Sequence, residues 1–281
     1  MPVIVNTNIN SLFAQRKLGK SQDAVGKSIQ RLTTGMRINS AADDAAGMAI
    51  STKFEAQIRG LSQAQRNAND GISMLQTAEG AMEQMTDILI RMRELAVQSS
   101  NGTFSNTERD FLNTELNELK SELDRISDNT EFNGRKLLNG SASAGITFQV
   151  GINNTAADKI TVSITDIGSD KLGAGGSFIS GASVSTAAKS QTALTTIDGA
   201  INKLATVRST LGASQNRLNV TIDNLGSTIE NMSASNSRIR DVDVAKESAY
   251  LAKNQILVQA GVSVLAQANQ TPQVALSLLG G

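Results

Sequence analysis

Ile197, Leu204, Leu211, Leu218, Leu225, Met232 and Ile239 fall at strict seven-residue intervals, with Ile201, Ile222 and Ile229 at four-residue offsets. An α-helix turns once every ~3.6 residues, so a strict period of seven keeps one narrow apolar seam aimed at a partner only when helices wind around each other. The stripe therefore predicts a coiled coil. Residues 190–240 as one helix would span about 75 Å at ~1.5 Å per residue. A compact domain of 281 residues is narrower than that, so the expectation is a mainly α, elongated rod or part of one.

The N-terminal half repeats the theme. Leu18, Val25 and Leu32, interleaved with Ile29 and Met36, form a short seam. Leu61, Ala68, Leu75, Met82, Leu89 and Ala96, with Ile58 and Ile72 offset, predict a long helix over residues 56–99, which Asn101-Gly102 ends. Ser105 followed by Glu108 forms a capping box, in which each side chain satisfies a backbone amide of the other. Leu112, Leu116, Leu119, Leu123 and Ile126 then carry an antiparallel return helix. Together these predict three long helices around one core. Leu251, Val258, Val262 and Leu265 resume a seam near the C-terminal end, and Thr271-Pro272 reads as an N-cap and first position restarting a helix to Leu279.

Between residues 131 and 190 the pattern changes. Thr147–Val150 and Ile160–Ile164 alternate apolar and polar residues and are rich in β-branched side chains, which predicts a β-hairpin as the one notable β element. Gly168 to Ser190 is rich in glycine, serine and alanine without a period and reads as a surface loop or mobile connector.

Composition removes most other functions. With 26 basic and 26 acidic residues, no long-range field recruits nucleic acid or an anionic membrane. Cysteine, histidine and tryptophan are absent, which excludes disulfides, thiol nucleophiles, imidazole catalysis and the usual zinc sites. Aromatic residues are 3% of the chain, too few to line a dry pocket for a carboxylate-based enzyme. No cofactor or metal is expected, and Asp43, Asp44, Asp241 and Asp243 read as helix caps or solvated acids. No run of ~18 apolar residues exists to insert in a membrane. The opening Met1–Asn10 lacks the basic and apolar regions of a cleaved secretory signal.

The two ends, residues 1–40 and 245–281, carry narrow seams rich in alanine and glutamine. Burying a few side chains at about 1.5–3 kcal/mol each barely offsets the entropy of ordering them. Their order is therefore expected to be coupled to packing among many copies.

Gln30-Arg-Leu-Thr-Thr-Gly-Met-Arg-Ile-Asn-Ser-Ala-Ala-Asp-Asp-Ala-Ala-Gly-Met-Ala-Ile50, Arg93-Glu-Leu-Ala-Val-Gln98, Glu131-Phe-Asn-Gly134, Gln267-Ala-Asn-Gln-Thr-Pro-Gln273 and Leu276-Ser-Leu-Leu279 follow one another along the chain. Together, in this order, they resemble bacterial flagellin. The resemblance covers about residues 1–140 and 190–281. It implies a structural subunit that polymerises with itself into the flagellar filament, an extracellular homopolymer for swimming. It further implies an inner coiled-coil domain from 1–44 with 240–281, an outer helical bundle and hairpin from 45–172 with 190–239, and a 173–189 loop in place of a variable domain. The filament should then be smooth and thin. Export would go, unfolded, through the type III export apparatus with a flagellin export chaperone. Filament cap and hook-filament junction proteins would be further partners.

By the same resemblance, Arg91, Leu95 and Glu115 match positions that engage the innate immune flagellin receptor of animals. Leu276, Leu278 and Leu279 match leucines met by the export chaperone and a cytosolic immune sensor. Each of these has a plainer reading. Arg91 complements the dipole near a helix C-terminus, and the surface around it would be buried between subunits. On periodicity alone an intramolecular bundle fits the heptads equally well. A hook-filament junction protein shares the paired helical ends and is the alternative function, with a carboxylate-based enzyme the distant third. Serine and threonine in 173–192 are candidate sugar sites, although a plain loop explains them.

Overall fold

The computed structural model describes residues 7–279, with side chains described except at Ala174 and 271–279. Five long helices carry the chain: α1 (Ile9–Thr34), α2 (Ala45–Ser100), α3 (Asn106–Asn129), α4 (Ala187–Arg240) and α5 (Val244–Leu279). Three antiparallel hairpins lie between α3 and α4: β1 (Glu131–Phe132) with β2 (Arg135–Lys136), β3 (Ile146–Gln149) with β4 (Lys159–Val162), and β5 (Gly173–Ala174) with β6 (Ser177–Phe178). The chain divides into two compact units, Met1–Ala56 with Glu230–Gly281, and Gln57–Ile229.

In the unit Gln57–Ile229, the predicted seams form the core. Leu61, Ala68, Leu75, Met82, Leu89 and Ala96 of α2 are buried, as are Leu116 and Leu123 of α3 and Ile197, Leu204, Leu211, Leu218 and Leu225 of α4. Gly71 allows the close approach of elements here, because a Cβ would lie 3.3 Å from Leu218 and 3.2 Å from the Phe148 ring. The capping box at α3 is formed. Glu108 Oε2 accepts from the Ser105 amide at 2.7 Å, and Ser105 Oγ accepts from the Glu108 amide at 3.4 Å. Hydrogen bonding to Ser105 holds the Glu108 carboxyl below its ordinary range. At the other end of the turn, the buried Arg109 donates to the carbonyls of Ser99 and Asn101, both at 2.8 Å. Its cation thus meets the negative end of α2.

The middle of the chain is more ordered than its composition suggests. The β3–β4 hairpin pairs Phe148 with Ile160 and Ile146 with Val162, and the Thr147 and Thr161 hydroxyls meet at 2.9 Å on the outer face. Two further hairpins accompany it. Asn133 (φ 50°) and Gly134 (φ 76°) supply the left-handed turn between β1 and β2, the geometry that an Asn-Gly pair favours. The aperiodic segment expected to be a mobile connector instead packs inward. Leu172, Ile179 and Val184 are fully buried, and Gly175, Gly176, Ser177, Phe178, Ser180 and Gly181 between them are exposed. A single apolar residue per short, irregular stretch fills a core without generating any period, which is why pattern reading missed it.

In the unit Met1–Ala56 with Glu230–Gly281, α1 ends where Gly35 adopts a left-handed conformation (φ 71°). Met36, expected as the last seam residue of that helix, lies beyond this cap and forms a β-bridge with Asp241. The Arg37 amide donates to the Arg240 carbonyl at 2.6 Å, and the Val242 amide to the Gly35 carbonyl at 3.0 Å. Asp44 accepts from the Gly47 amide at 2.8 Å and so starts α2 at Ala45, eleven residues before the expected position of 56. Asp243 likewise accepts from the Lys246 amide at 3.1 Å at the head of α5. The expected helix restart at Thr271-Pro272 does not occur, because α5 runs unbroken from Val244 to Leu279.

Candidate assembly surface

Helices α1 and α5 lie antiparallel. Asn8 meets Ala268 (2.8 Å), Leu18 faces Gly261, and Ser28 meets Glu247 (2.6 Å). The line between them is made of small and polar groups, Ser11, Ala14 and Ser28 from α1 with Glu247 and Asn254 from α5. Glu247 also receives Arg31 at 3.5 Å, so the one buried carboxylate of this seam is partnered. The predicted seam residues Leu18, Val25 and Leu32, and Leu251, Val258 and Leu265, are only half-buried. Ile29 and Val262 are exposed, at 49% and 52%.

Among the described residues of α1 and α5, no Ile, Leu, Val or Phe is fully buried. Ile9, Leu12 and Phe13 stand open on α1, and Ile256, Leu257 and Val264 on α5, with Ile256 65% exposed. These residues fall off the heptad phase, and sequence reading missed them. Their signal is apolar positions outside the seam. The Phe13 ring is flanked by Arg16 and Lys17, each 5.5 Å from its centroid, so cations partly cover it. Each of these side chains would contribute roughly 1.5–3 kcal/mol if moved from water to full burial. Two helices side by side cannot supply that cover.

A groove of about 690 Å³ in the same unit is lined by Arg31, Arg37, Arg238, Lys246 and Lys253 interleaved with Asp241, Asp243 and Glu247. Of its carboxylates, Asp243 is engaged in the cap of α5 and Glu247 in the Ser28–Arg31 cluster. Asp43 is likewise occupied by the amides of Ser40 and Asn39, chiefly Ser40, which hold its carboxyl below the ordinary range. No helix among the described residues is long and apolar enough to cross a membrane.

The remaining expected site residues scatter. Ile197, Leu204, Leu211, Leu218 and Leu225 belong to the core of the other unit, while Met232 and Ile239 are half-buried. Arg91 and Glu115 are exposed and joined, Nε and Nη2 of the arginine reaching Oε1 at 2.9 and 2.8 Å. Glu94 adds a contact at 3.0 Å, and these carboxylates, Glu115 first, raise the Arg91 pKa further. Leu95, expected beside them as a surface contact, is fully buried, and Ile90 and Val97 are the apolar side chains open on that stretch of α2. The reason is that α2 packs against both α3 and α4. Its buried face therefore includes Met85, Met92, Leu95 and Ser99 in addition to the narrow Met82–Leu89–Ala96 seam. Leu276, Leu278 and Leu279 fall in the last turns of α5, where side chains lie outside the described residues.

Comparison with known proteins places the chain in a family. The family model for the bacterial flagellin N-terminal helical region matches residues 5–143, and that for the bacterial flagellin C-terminal helical region matches residues 194–279. The chain is 44% identical over 277 residues to a flagellin of Halalkalibacterium halodurans, covering 99% of this chain and 100% of that one. It is 42% identical over 294 residues to the flagellar filament 33 kDa core protein of Treponema phagedenis, covering 99% and 100%. A structure assigned to a flagellar hook-associated protein of Vibrio parahaemolyticus superposes with a TM-score of 0.61 over 71% of this chain and 100% of that one. At 15% identity that likeness concerns the fold alone.

Proposed function

The chain belongs to the bacterial flagellin family, and from that premise we propose that this filament subunit polymerises by completing, between copies, the half-built helix pair α1 and α5. The observation that carries this reading is the inverted burial of that pair, with small and polar residues inside and Ile9, Leu12, Phe13, Ile256, Leu257 and Val264 outside. An isolated pair with that distribution leaves most of its apolar surface in water. Neighbouring copies of the same pair would cover it. The domain reading follows, with residues 1–44 and 240–281 as the inner, assembling part and 45–172 with 190–239 as the outer part.

Flagellins form the flagellar filament, and the chain's place is accordingly in an extracellular filament. Export through the type III apparatus, with a chaperone at Leu276, Leu278 and Leu279, extends the proposal, as do cap and junction proteins at the filament ends. For the animal receptor, the surface consistent with this fold is the Arg91–Glu115 pair with Ile90 and Val97, because the Leu95 side chain is interior.

Seeded growth tests the reading. The full chain should elongate filament seeds above a critical concentration. Removal of residues 1–40 and 245–281 should abolish growth while the Gln57–Ile229 unit keeps its helical signal. Filament growth by the truncated chain would refute it.

A further inference from the structure

A helix carbonyl normally accepts from the amide four residues ahead. For Ala268 that residue is Pro272, which has no N–H to give. Pro272 is the only proline in α5, so Ala268 holds the one carbonyl in the interior of this helix without a backbone donor of its own. The Asn8 side chain fills the gap, its Nδ2 donating to the Ala268 carbonyl at 2.8 Å across the helix pair. The other end of the same amide, Oδ1, accepts from the Ser11 amide at 3.1 Å and caps α1. With a carbonyl on one side and an N–H on the other, the orientation of this amide is fixed by its partners. Ser11 Oγ adds a bond to Asn269 Oδ1 at 2.7 Å beside it.

We propose that Asn8 and Pro272 together set the register of the α1/α5 pair. The remaining contacts of the pair specify stagger weakly. Its line of contact is small and polar, and its aliphatic residues Val25, Ile29 and Leu32, and Val258, Val262 and Leu265, follow one another at four- and three-residue steps, so a slide of one turn exchanges one aliphatic side chain for another. Such a slide is not neutral for Asn8. It would place the amide opposite a carbonyl already bonded within the helix and leave the Ala268 carbonyl unpaired.

The chain contains no cysteine, so introduced pairs report register directly. A Cβ built at Gly261 lies 3.8 Å from Leu18 Cβ, within the span a disulfide accepts. Leu18→Cys with Gly261→Cys in the full chain reports the observed stagger, and Leu18→Cys with Leu257→Cys or Leu265→Cys reports a slip of one turn. Asn8→Asp keeps the cap and loses the donor. It should lower the ratio of in-register to slipped product about fivefold, the weight of one net hydrogen bond. Asn8→Ala should do the same in the parent chain and nothing further alongside Pro272→Ala, where the Ala268 carbonyl regains a donor within its helix. An unchanged ratio in Asn8→Asp, or an equal effect of Asn8→Ala with and without Pro272→Ala, overturns the proposal and leaves Asn8 as a helix cap alone. Cross-linking is read separately from filament growth. A chain that links in register yet never elongates seeds would count against the assembly reading and not against the register lock.

Discussion

The same heptad pattern has two outcomes in this molecule. Leu211 of α4 is fully buried, whereas Val262 of α5, on an equally regular apolar spacing, is 52% exposed. The difference lies in the number of neighbours and not in the pattern. In the Gln57–Ile229 unit, three helices and the hairpin segment enclose a common core, so the side chains flanking each seam also find cover. In the other unit, α1 and α5 share one polar line and their aliphatic faces stay open. A seam states that a helix wants a partner, and the residues beside it state how many.

The comparison can be broken most sharply at Ile256. A charge placed there by Ile256→Glu lies mostly in water in the free subunit, Ile256 being 65% exposed, so its unfolding free energy should change by less than about 0.5 kcal/mol. Between copies the same carboxylate would be buried without a partner, at a cost of several kcal/mol, on the order of a hundredfold or more in the critical concentration for seeded growth. Normal growth would mean that this face of α5 stays wet in the filament. Leu89→Ala should behave in the opposite way. The side chain is fully buried in the saturated unit, and its truncation should cost about 2–5 kcal/mol in urea unfolding of the dispersed chain. A value near zero would mean that the core is looser than its burial indicates.

Smaller effects sharpen the contrast. Ser105→Ala removes half of the capping box at α3 and should lower the stability of that unit by about 1 kcal/mol in the same assay. The Glu108 half of the box can be probed by pH. Its folded pKa is depressed below the ordinary 4.5 by the Ser105 amide first and the Ser105 hydroxyl second. Its contribution is therefore complete above the unfolded pKa and disappears as pH falls through the lower folded value. The Ser105 amide resonance should follow that acid titration, and Glu108→Gln should flatten it. An unshifted titration at the ordinary carboxylate value would show that the box is open in solution.

Much of this is legible in the amino-acid sequence. The heptads placed five of the seven buried apolar residues of α4 and half of those of α2, and Ser105 with Glu108 marked the start of α3. The rest escaped for physical reasons, as three cases show. Leu172, Ile179 and Val184 fill the core one at a time from an irregular stretch, which carries no period to detect. Leu95 is interior because α2 serves two neighbours, and a single seam understates the width of such a face. Pro272 signalled a helix break by local rules, yet α5 continues through it, and the carbonyl it orphans is met by Asn8, 260 residues away in the chain. Local propensity is a weak guide where a distant residue supplies the missing bond.

Hydrogen–deuterium exchange on the dispersed subunit and on the filament puts the central claim most directly at risk. Amides of α1 and α5 should exchange rapidly in the subunit and become protected by several orders of magnitude on polymerisation, while those of α2, α3 and α4 around Leu89, Leu116 and Leu211 stay protected in both states. Equal protection of α1 and α5 before and after assembly would contradict the account, since it would mean that the pair is already complete within a single chain.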